Sequence, residues 1–274
     1  DGNDEETVFT IDDVSVKEVG VATGWTDADQ QLDIPQTALQ SYNQLAWFEQ
    51  SDETVIIADT TNDNDNIFDG GGTISAWIYP NNVGENNFGR IVDKSNASNG
   101  SNGYHLALYS ESGTTSNIQF AKGHDTDIGT WSFDARYITY GKWQHIVVVY
   151  NDDDDGNNPI IYLNGESKTV VETAEPDGNE QSDASHALTI GNRSGATDRT
   201  FSGCITEVSM WSKSLGPTEV AELYNDGLAL DATTHSSAQL KGYWRNNGLA
   251  VWQDLTSYNN DGTPTNFAES MLIT

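Results

Sequence analysis

The side chains that could do chemistry are carboxylates, hydroxyls and histidines, and their spacing does not predict an enzyme. Hydrolysis of a glycosidic bond needs carboxylates that face one substrate, which on a single strand requires a spacing of two residues. The chain has no Glu-x-Asp-x-x-Glu arrangement, and the neighbours Asp12 and Asp13 would face opposite sides of a strand. It also has no Gly-x-Ser-x-Gly nucleophile turn. We therefore expect a protein without catalytic residues.

The histidines do not have the spacing of a zinc site. They are His105, His124, His145, His186 and His235. His145 follows Trp143 in an apolar run, so we expect it to have a structural role.

Aromatic and polar side chains beside turns could instead bind a sugar, because a ring stacks on a pyranose face while polar groups hold its hydroxyls. Trp131 lies close to the turn Gly123-His-Asp-Thr-Asp127, and Tyr104 and His105 follow a loop of Asn, Ser and Gly. We predict a sugar site formed by Trp131, Tyr104, His105 and Asp125, with core packing as the alternative for Trp131. Three other tryptophans occur in strand patterns and are expected in the core: Trp77, Trp143 and Trp211.

The charge of the chain restricts its partners. Its 12 Lys and Arg against 42 Asp and Glu give a formal net charge of -30. Such a surface repels nucleic acid and anionic membranes, so we expect neither as a partner. The charge fits adaptation to high salt, binding of divalent cations or simple solubility. With one cysteine, Cys204, the chain can form no internal disulfide, and no apolar stretch is long enough for membrane insertion.

Frequent turn signals between short apolar runs predict many strands, which is typical of a β-sandwich or barrel. One short helix is expected near residues 217–226, where Pro217 stands at its start and Gly227 at its end. We divide the chain into a strand over 1–20, a linker over 21–44, a sandwich over 45–230 and an extension over 231–274 that packs on the sandwich. The first strand either ends a preceding domain or pairs with another subunit.

Five motifs in order give this chain a family resemblance. They are Ala46-Trp-Phe-Glu-Gln-Ser-Asp-Glu-Thr-Val55, Thr73-Ile-Ser-Ala-Trp77, Gly141-Lys-Trp-Gln-His-Ile-Val147, Ile161-Tyr-Leu-Asn-Gly165 and residues 203–215. Together they resemble the laminin-G-like, or concanavalin A-like, jelly roll over residues 45–230. The resemblance implies an all-β, antiparallel jelly-roll sandwich. Thr206 departs from the pattern, since the family often has Asp there, whereas Glu207 fits it.

The resemblance also suggests calcium, through the pentraxin branch of this superfamily. Pentraxins hold the ion between two loops, which here correspond to residues 93–103 and 191–200. The matching oxygen ligands would be Asn99, Asn102, Asn192 and Asp198. Arg193-Ser194 replaces the acidic run of the pentraxins. Calcium is therefore the one cofactor that the resemblance implies.

The two ends of the chain carry further resemblances, the C-terminal one to virion proteins and the N-terminal one to a domain found in both virion and secreted proteins. Lys241-Gly-Tyr-Trp-Arg245 is similar to a motif in the C-terminal extensions of marine phage structural proteins, and residues 12–19 resemble the closing strand of a carbohydrate-binding jelly roll. We expect a non-enzymatic adhesion, carbohydrate-binding or structural module of a virion appendage or extracellular assembly. Its partners are glycans or neighbouring subunits, and it forms a homo-oligomer or part of a larger assembly. Two alternatives stay open: a carbohydrate-binding module of a secreted polysaccharide-degrading system, and a fibre subunit assembled by exchange of the N-terminal strand.

Overall fold

The computed structural model describes residues 45–57, 63–96 and 102–273. The strand predicted over 1–20 and the linker over 21–44 lie outside these ranges. The described chain is a β-sandwich with one short α-helix, as the sequence predicts. Its strands, in chain order, are β1 (Leu45–Ala46), β2 (Phe48–Glu49), β3 (Thr54–Ile57), β4 (Gly72–Pro80), β5 (Arg90–Lys94), β6 (Tyr104–Ser112), β7 (Thr115–Gly123), β8 (Ile128–Phe133), β9 (Ile138–Thr139), β10 (Gln144–Tyr150), β11 (Ile160–Leu163), β12 (Glu166–Lys168), β13 (Val170–Ala174), β14 (Leu188–Ile190), β15 (Ser202–Trp211), β16 (Leu240–Trp244), β17 (Gly262–Thr265) and β18 (Leu272–Ile273).

Two antiparallel sheets form the sandwich. The seven-stranded sheet has the order β12-β11-β10-β4-β15-β16, with β2 also paired to β15. The nine-stranded sheet has the order β13-β8-β7-β6-β5-β14-β3-β17, with β9 also paired to β7. A separate two-stranded ribbon joins β1 to β18. The motif strands β4, β10 and β15 are thus neighbours at the centre of the seven-stranded sheet.

Alternation along the strands decides which side chains form the core. On β4, Ile74 and Ile78 face the nine-stranded sheet and pack in the main hydrophobic cluster. The side chains between them point to the other face, because successive residues of a strand alternate. This outer face of the seven-stranded sheet carries Trp77, Tyr79 and, from β10, His145.

The helix α1 (Pro217–Tyr224) covers part of that outer face. Pro217 fills its first position, and the Glu219 carboxylate accepts a hydrogen bond from the Gly216 N–H at 2.9 Å, which satisfies one free donor of the helix start. Val220 and Leu223 pack against Val147 and other apolar groups of the sheet. Within the described ranges, no helix has the length and apolar content to cross a bilayer.

The C-terminal extension contributes strands to the sandwich. β16 pairs with β15, and β17 pairs with β3, so the extension provides an edge strand of each sheet. Asn246 fixes this arrangement: it is fully buried, and its amide bonds the N–H and C=O of Ala46 at 2.8 and 2.9 Å and the C=O of Ile205 at 3.1 Å. The extension is therefore part of the fold, beyond the packing that the sequence predicted.

Candidate functional site

Two of the predicted sugar-binding residues, Trp131 and Tyr104, are in the core. Trp131 is fully buried, and its ring centroid lies 5.1 Å from that of Tyr150. Its indole N–H donates to Asn158 Oδ1 at 2.6 Å. Tyr104 is fully buried, with its ring 5.1 Å from Phe68. Neither ring can stack on a ligand, so the prediction for these two residues was wrong.

The other two predicted sugar residues do not meet at one place. His105 faces away from the core on β6, but it is 1% exposed and lies under Phe88, at 5.6 Å between ring centroids. Burial holds its pKa well below the ordinary range, so the ring is neutral. Asp125 is exposed in the turn between β7 and β8, where the Asn179 amide hydrogen-bonds its carboxylate and lowers its pKa. The four predicted residues therefore form no common site.

The predicted calcium ligands are already engaged with protein groups. The Asn192 amide oxygen accepts hydrogen bonds from the backbone N–H of Arg193 at 2.8 Å and of Arg199 at 3.1 Å. Both of its lone pairs are thus used, and the residue is fully buried. Asp198 pairs with Arg193 at 2.6 Å, which places a cation beside the carboxylate. The arrangement argues against a calcium site at Asn192 and Asp198.

The remaining calcium ligands give no replacement site. Asn99 lies outside the described residues, and Asn102 is in a turn with a φ of 59°. Among the described residues, no group of three or more His, Cys, Asp or Glu side chains is placed to hold a metal ion. Calcium binding elsewhere on the chain stays a prediction.

His145 has the structural surroundings that the sequence predicts. Its Nε2 lies 2.7 Å from Ser75 Oγ, and its ring stacks on Trp77 at 5.1 Å and on Tyr224 at 6.0 Å. Burial lowers the pKa of His145 to about 3, so it stays neutral. Although Ser and His are within hydrogen-bond distance, both are 1% exposed, and a substrate cannot reach them.

Buried carboxylates are held by cations. Asp93 pairs with Arg90 at 2.8 Å, Asp152 with Lys122 at 3.1 Å and Glu207 with Arg245 at 3.2 Å. Burial raises the pKa of Asp93 to about 6, while the Arg90 guanidinium opposes that rise. These pairs stabilise three charges inside the fold.

The tryptophans reveal a site that the sequence did not indicate. Seven of them are described, and five are buried: Trp77, Trp131, Trp211, Trp244 and Trp252. The two that are half-buried, Trp47 and Trp143, lie on either side of Tyr79, which is also half-buried. Their ring centroids are 5.8 and 5.7 Å from that of Tyr79, with interplanar angles of 59° and 61°. We call these three residues the aromatic triad.

Polar groups accompany the aromatic triad. The Tyr79 hydroxyl makes no hydrogen bond within the described ranges, and neither does the ammonium of Lys142, the exposed residue that precedes Trp143; both are donors. Gly141, with a φ of 72°, turns the chain beside Tyr79, where an added Cβ would be 3.8 Å from the hydroxyl. The triad packs at its base on Leu45 and Cys204. An apolar floor with polar donors beside it is the composition of a candidate ligand surface.

Sequence reasoning missed this site because Trp143 resembled a core residue. The apolar run after it predicts a buried strand, but the strand begins at Gln144, one residue later. Trp143 thus lies at the end of the sheet, beyond the surface that α1 covers. Trp143 shares the outer face with His145 and Val147, but both faces of β10 are apolar, so the sequence does not show which of them is the outer one.

Comparison with known proteins identifies the fold. A sequence model described as the concanavalin A-like lectin/glucanases superfamily matches residues 50–221. A search of curated proteins found no match.

Several solved structures share the fold at low identity. A Bacteroides ovatus ATCC 8483 protein, proposed in its description to bind carbohydrate, is 16% identical with a TM-score of 0.56 over 84% of this chain. The enzymatically active domain of tailspike protein 2 from bacteriophage CBA120 is 17% identical with a TM-score of 0.52 over 73% of this chain. The chain spans 59% of the first protein and 29% of the second. A heptameric pentraxin from Limulus polyphemus is 16% identical with a TM-score of 0.46 over 66% of this chain and 81% of its own.

Proposed function

The chain belongs to the concanavalin A-like lectin/glucanases superfamily, and on that premise we propose that it is a non-enzymatic carbohydrate-binding module. The fold alone does not fix a function, so the proposal rests on the site. The ligand surface is the aromatic triad of Trp47, Tyr79 and Trp143.

One observation carries the proposal: the two half-buried tryptophans of the described chain flank the same tyrosine. Leaving large rings partly in water forgoes the stabilisation that full burial gives, about 1.5–3 kcal/mol for a large apolar side chain. In a chain with a net charge of -30, three such rings at one place form an apolar surface within a polar one. Surfaces of this kind mark binding sites.

The chemistry of the triad suits a saccharide. The apolar face of a pyranose can stack on the Trp47 or Trp143 ring, while its hydroxyls bond the Tyr79 hydroxyl and the Lys142 ammonium. Among the described residues, the buried acids Asp93, Asp152 and Glu207 are paired with cations inside the fold, so these three do not supply a free carboxylate pair for hydrolysis. Binding without turnover is the activity that these groups support best.

We place this module in a virion appendage or another extracellular assembly. The support is the likeness of residues 241–245 to phage structural proteins, together with the shared fold of the phage tailspike domain. Assembly into oligomers and exchange of the N-terminal strand remain predictions. The parent open reading frame and its genomic neighbours test the placement: virion genes support it, and polysaccharide-degrading genes would favour the secreted system.

A glycan array probed with the wild-type chain and with Trp143→Ala tests the proposed function. We expect the wild type to bind a defined set of glycans and Trp143→Ala to bind them at least about tenfold more weakly, because a stacking ring is lost. Tyr137→Ala is the matched control, since Tyr137 is an exposed aromatic outside the triad at 38% exposure.

Folding must be separated from binding in this experiment, because Trp143 is half-buried. Tyr79→Phe keeps the ring and removes only the hydroxyl, so it should preserve the melting temperature and still weaken binding. A flat array for the wild type, or equal binding by the wild type and the folded triad variants, would overturn the proposal.

A further inference from the structure

A second concave surface lies at the opposite end of β10 from the aromatic triad. Trp143 precedes this strand and Asn151 follows it, so the two are about 26 Å apart at roughly 3.3 Å per residue. Here a cleft of about 430 Å³ opens between residues 151–158 and the start of α1. That volume is within the range of small-molecule sites. We call it the amide cleft, after the asparagines on its rim.

The walls of the amide cleft are apolar. Ile160 is 48% exposed, and Val149 and Leu215 line the cleft beside it. The Tyr162 ring is buried, and its hydroxyl makes no hydrogen bond within the described residues. The walls thus offer a ring-sized apolar surface and a hydroxyl that a ligand can bond.

Asn151, Asn157 and Asn158 each use one half of the amide and leave the other half available. Asn151 Oδ1 accepts from the Asp153 N–H at 2.8 Å, which leaves its NH₂ group. Asn157 donates to the Asn151 C=O at 3.2 Å, which leaves its oxygen. Asn158 Oδ1 accepts from the Trp131 indole, which leaves its NH₂ group. Two donors and one acceptor therefore line the rim, on side chains that their other bonds hold in place.

Aspartates close to the amide cleft restrict its ligand by charge: they belong to the loop 151–158 that carries the rim asparagines, although they are not among the residues that line the cleft. Asp153, Asp154 and Asp155 are exposed in the same loop and form no ion pair within the described part of the chain. The loop is braced, since Asp153 accepts from the Gly70 N–H at 2.8 Å and Asp154 from the Gly156 N–H at 2.8 Å. A carboxylate ligand would be repelled here, whereas a neutral or positively charged one would not.

From this geometry we propose that the amide cleft is a second, independent saccharide site, which takes a neutral or amino sugar and excludes uronic acids. The apolar walls receive the ring, the three asparagine amides bond its hydroxyls, and the aspartates attract a protonated amine. This site does not depend on the aromatic triad, so an experiment can disprove the proposal for one site and leave the proposal for the other intact.

Titration of the ¹⁵N-labelled chain with glucose, glucosamine and glucuronate at pH 6 tests this proposal. We expect the side-chain amide signals of Asn151, Asn157 and Asn158 to shift with glucose, to shift at lower concentration with glucosamine, and to stay in place with glucuronate. Ile160→Ser should weaken glucose binding by about tenfold, because it removes an apolar wall. Val171→Ser is its control, since Val171 is similarly exposed, at 45%, on β13.

A variant of Asp155 tests the effect of the aspartates on ligand choice. Asp155 makes no hydrogen bond within the described residues, so Asp155→Lys should fold normally, weaken glucosamine binding and allow glucuronate to bind. Trp143→Ala should leave all of these shifts unchanged, which separates the cleft from the triad. Amide signals that no sugar moves, or glucuronate binding equal to that of glucose, would overturn the proposal.

Discussion

The guanidinium of Arg245 lies 3.2 Å from the Glu207 carboxylate and ties the C-terminal extension to the central strand β15. Glu207 is 3% exposed and has a φ of 51°, because the pairing of β15 with β4 shifts register at this point. The Tyr243 hydroxyl also donates to Glu207, and Arg245 reaches Asp231 at 2.9 Å. The tail motif therefore has a structural role: it provides the cation that a buried glutamate requires.

Replacement of Arg245 should show how much the Arg245–Glu207 ion pair adds to the free energy of unfolding. Arg245→Met leaves the Glu207 charge buried without its cation, which typically costs about 3–5 kcal/mol. Arg245→Met combined with Glu207→Gln should recover part of that loss, because no buried charge then remains unpaired. Urea unfolding of the two single variants and the double variant measures the coupling, which we expect to exceed about 1 kcal/mol. Additive losses would show that the pair does not stabilise the fold.

Asp183 should make stability depend on pH. Burial raises its pKa from 3.8 to about 6, although the Lys94 ammonium opposes that rise. The native state then binds the Asp183 proton more tightly than the unfolded chain does. The stability that this proton contributes is fully present below about pH 4, and it is lost as the pH rises through 6. Relative to Asp183→Asn, the wild type should lose stability across this interval, on the order of 3 kcal/mol.

Urea unfolding of both proteins at pH 4, 5, 6 and 7 measures that difference. Asp183→Asn is a matched control because an amide oxygen can still accept the bond from the Asn66 N–H, which now measures 3.0 Å. A difference that stays constant from pH 4 to 7 would mean that Asp183 has an ordinary pKa.

Asp198 should not contribute to any change in melting temperature that calcium causes. Arg193 occupies its carboxylate, and Asn192 has no free acceptor. We therefore expect Asp198→Asn to leave unchanged whatever shift calcium produces in the melting temperature, since only a ligand of the native state raises stability. Thermal melts of both proteins with calcium and with a chelator test this. A calcium-dependent shift in the wild type that disappears in Asp198→Asn would restore the predicted site.

The fold could be predicted because its motifs belong to neighbouring strands. The apolar runs after Gly72 and after Trp143 form β4 and β10, which pair directly, with Trp77 opposite His145. Residues 203–211 form β15 on the other side of β4. Strand alternation and turn residues are local properties, so a sequence records them.

The ligand site could not be predicted from the same properties. Trp131 is close to a turn, which suggested exposure, but it shares its strand face with Phe133, while Thr130 and Ser132 take the other face. That alternation indicates that Trp131 is buried, and it is a stronger signal than the closeness of Trp131 to the turn. On β10 both faces are apolar, so alternation did not show where Trp143 points. Trp143 is partly exposed because the surface covered by α1 ends before it. How far α1 reaches is a property of the tertiary structure.

The hydrogen bonds that engage Asn192, one of the predicted calcium ligands, could not be predicted for a related reason. An asparagine in a loop has the chemistry of a ligand, but the sequence does not show which backbone N–H groups reach its oxygen. At Asn192 two of them do, from Arg193 and Arg199. The amide organises its loop and has no lone pair left for a cation.

The central claim is that Trp47 and Trp143 contact a glycan, and the indole N–H signals of the tryptophans test it most directly. Titration of the ¹⁵N-labelled chain with its best array ligand should shift the Trp47 and Trp143 indole signals, because a sugar stacks on their half-buried rings. The signals of the fully buried Trp131, Trp211, Trp244 and Trp252 should stay in place. Saturating ligand that leaves both triad indoles unmoved would contradict the account.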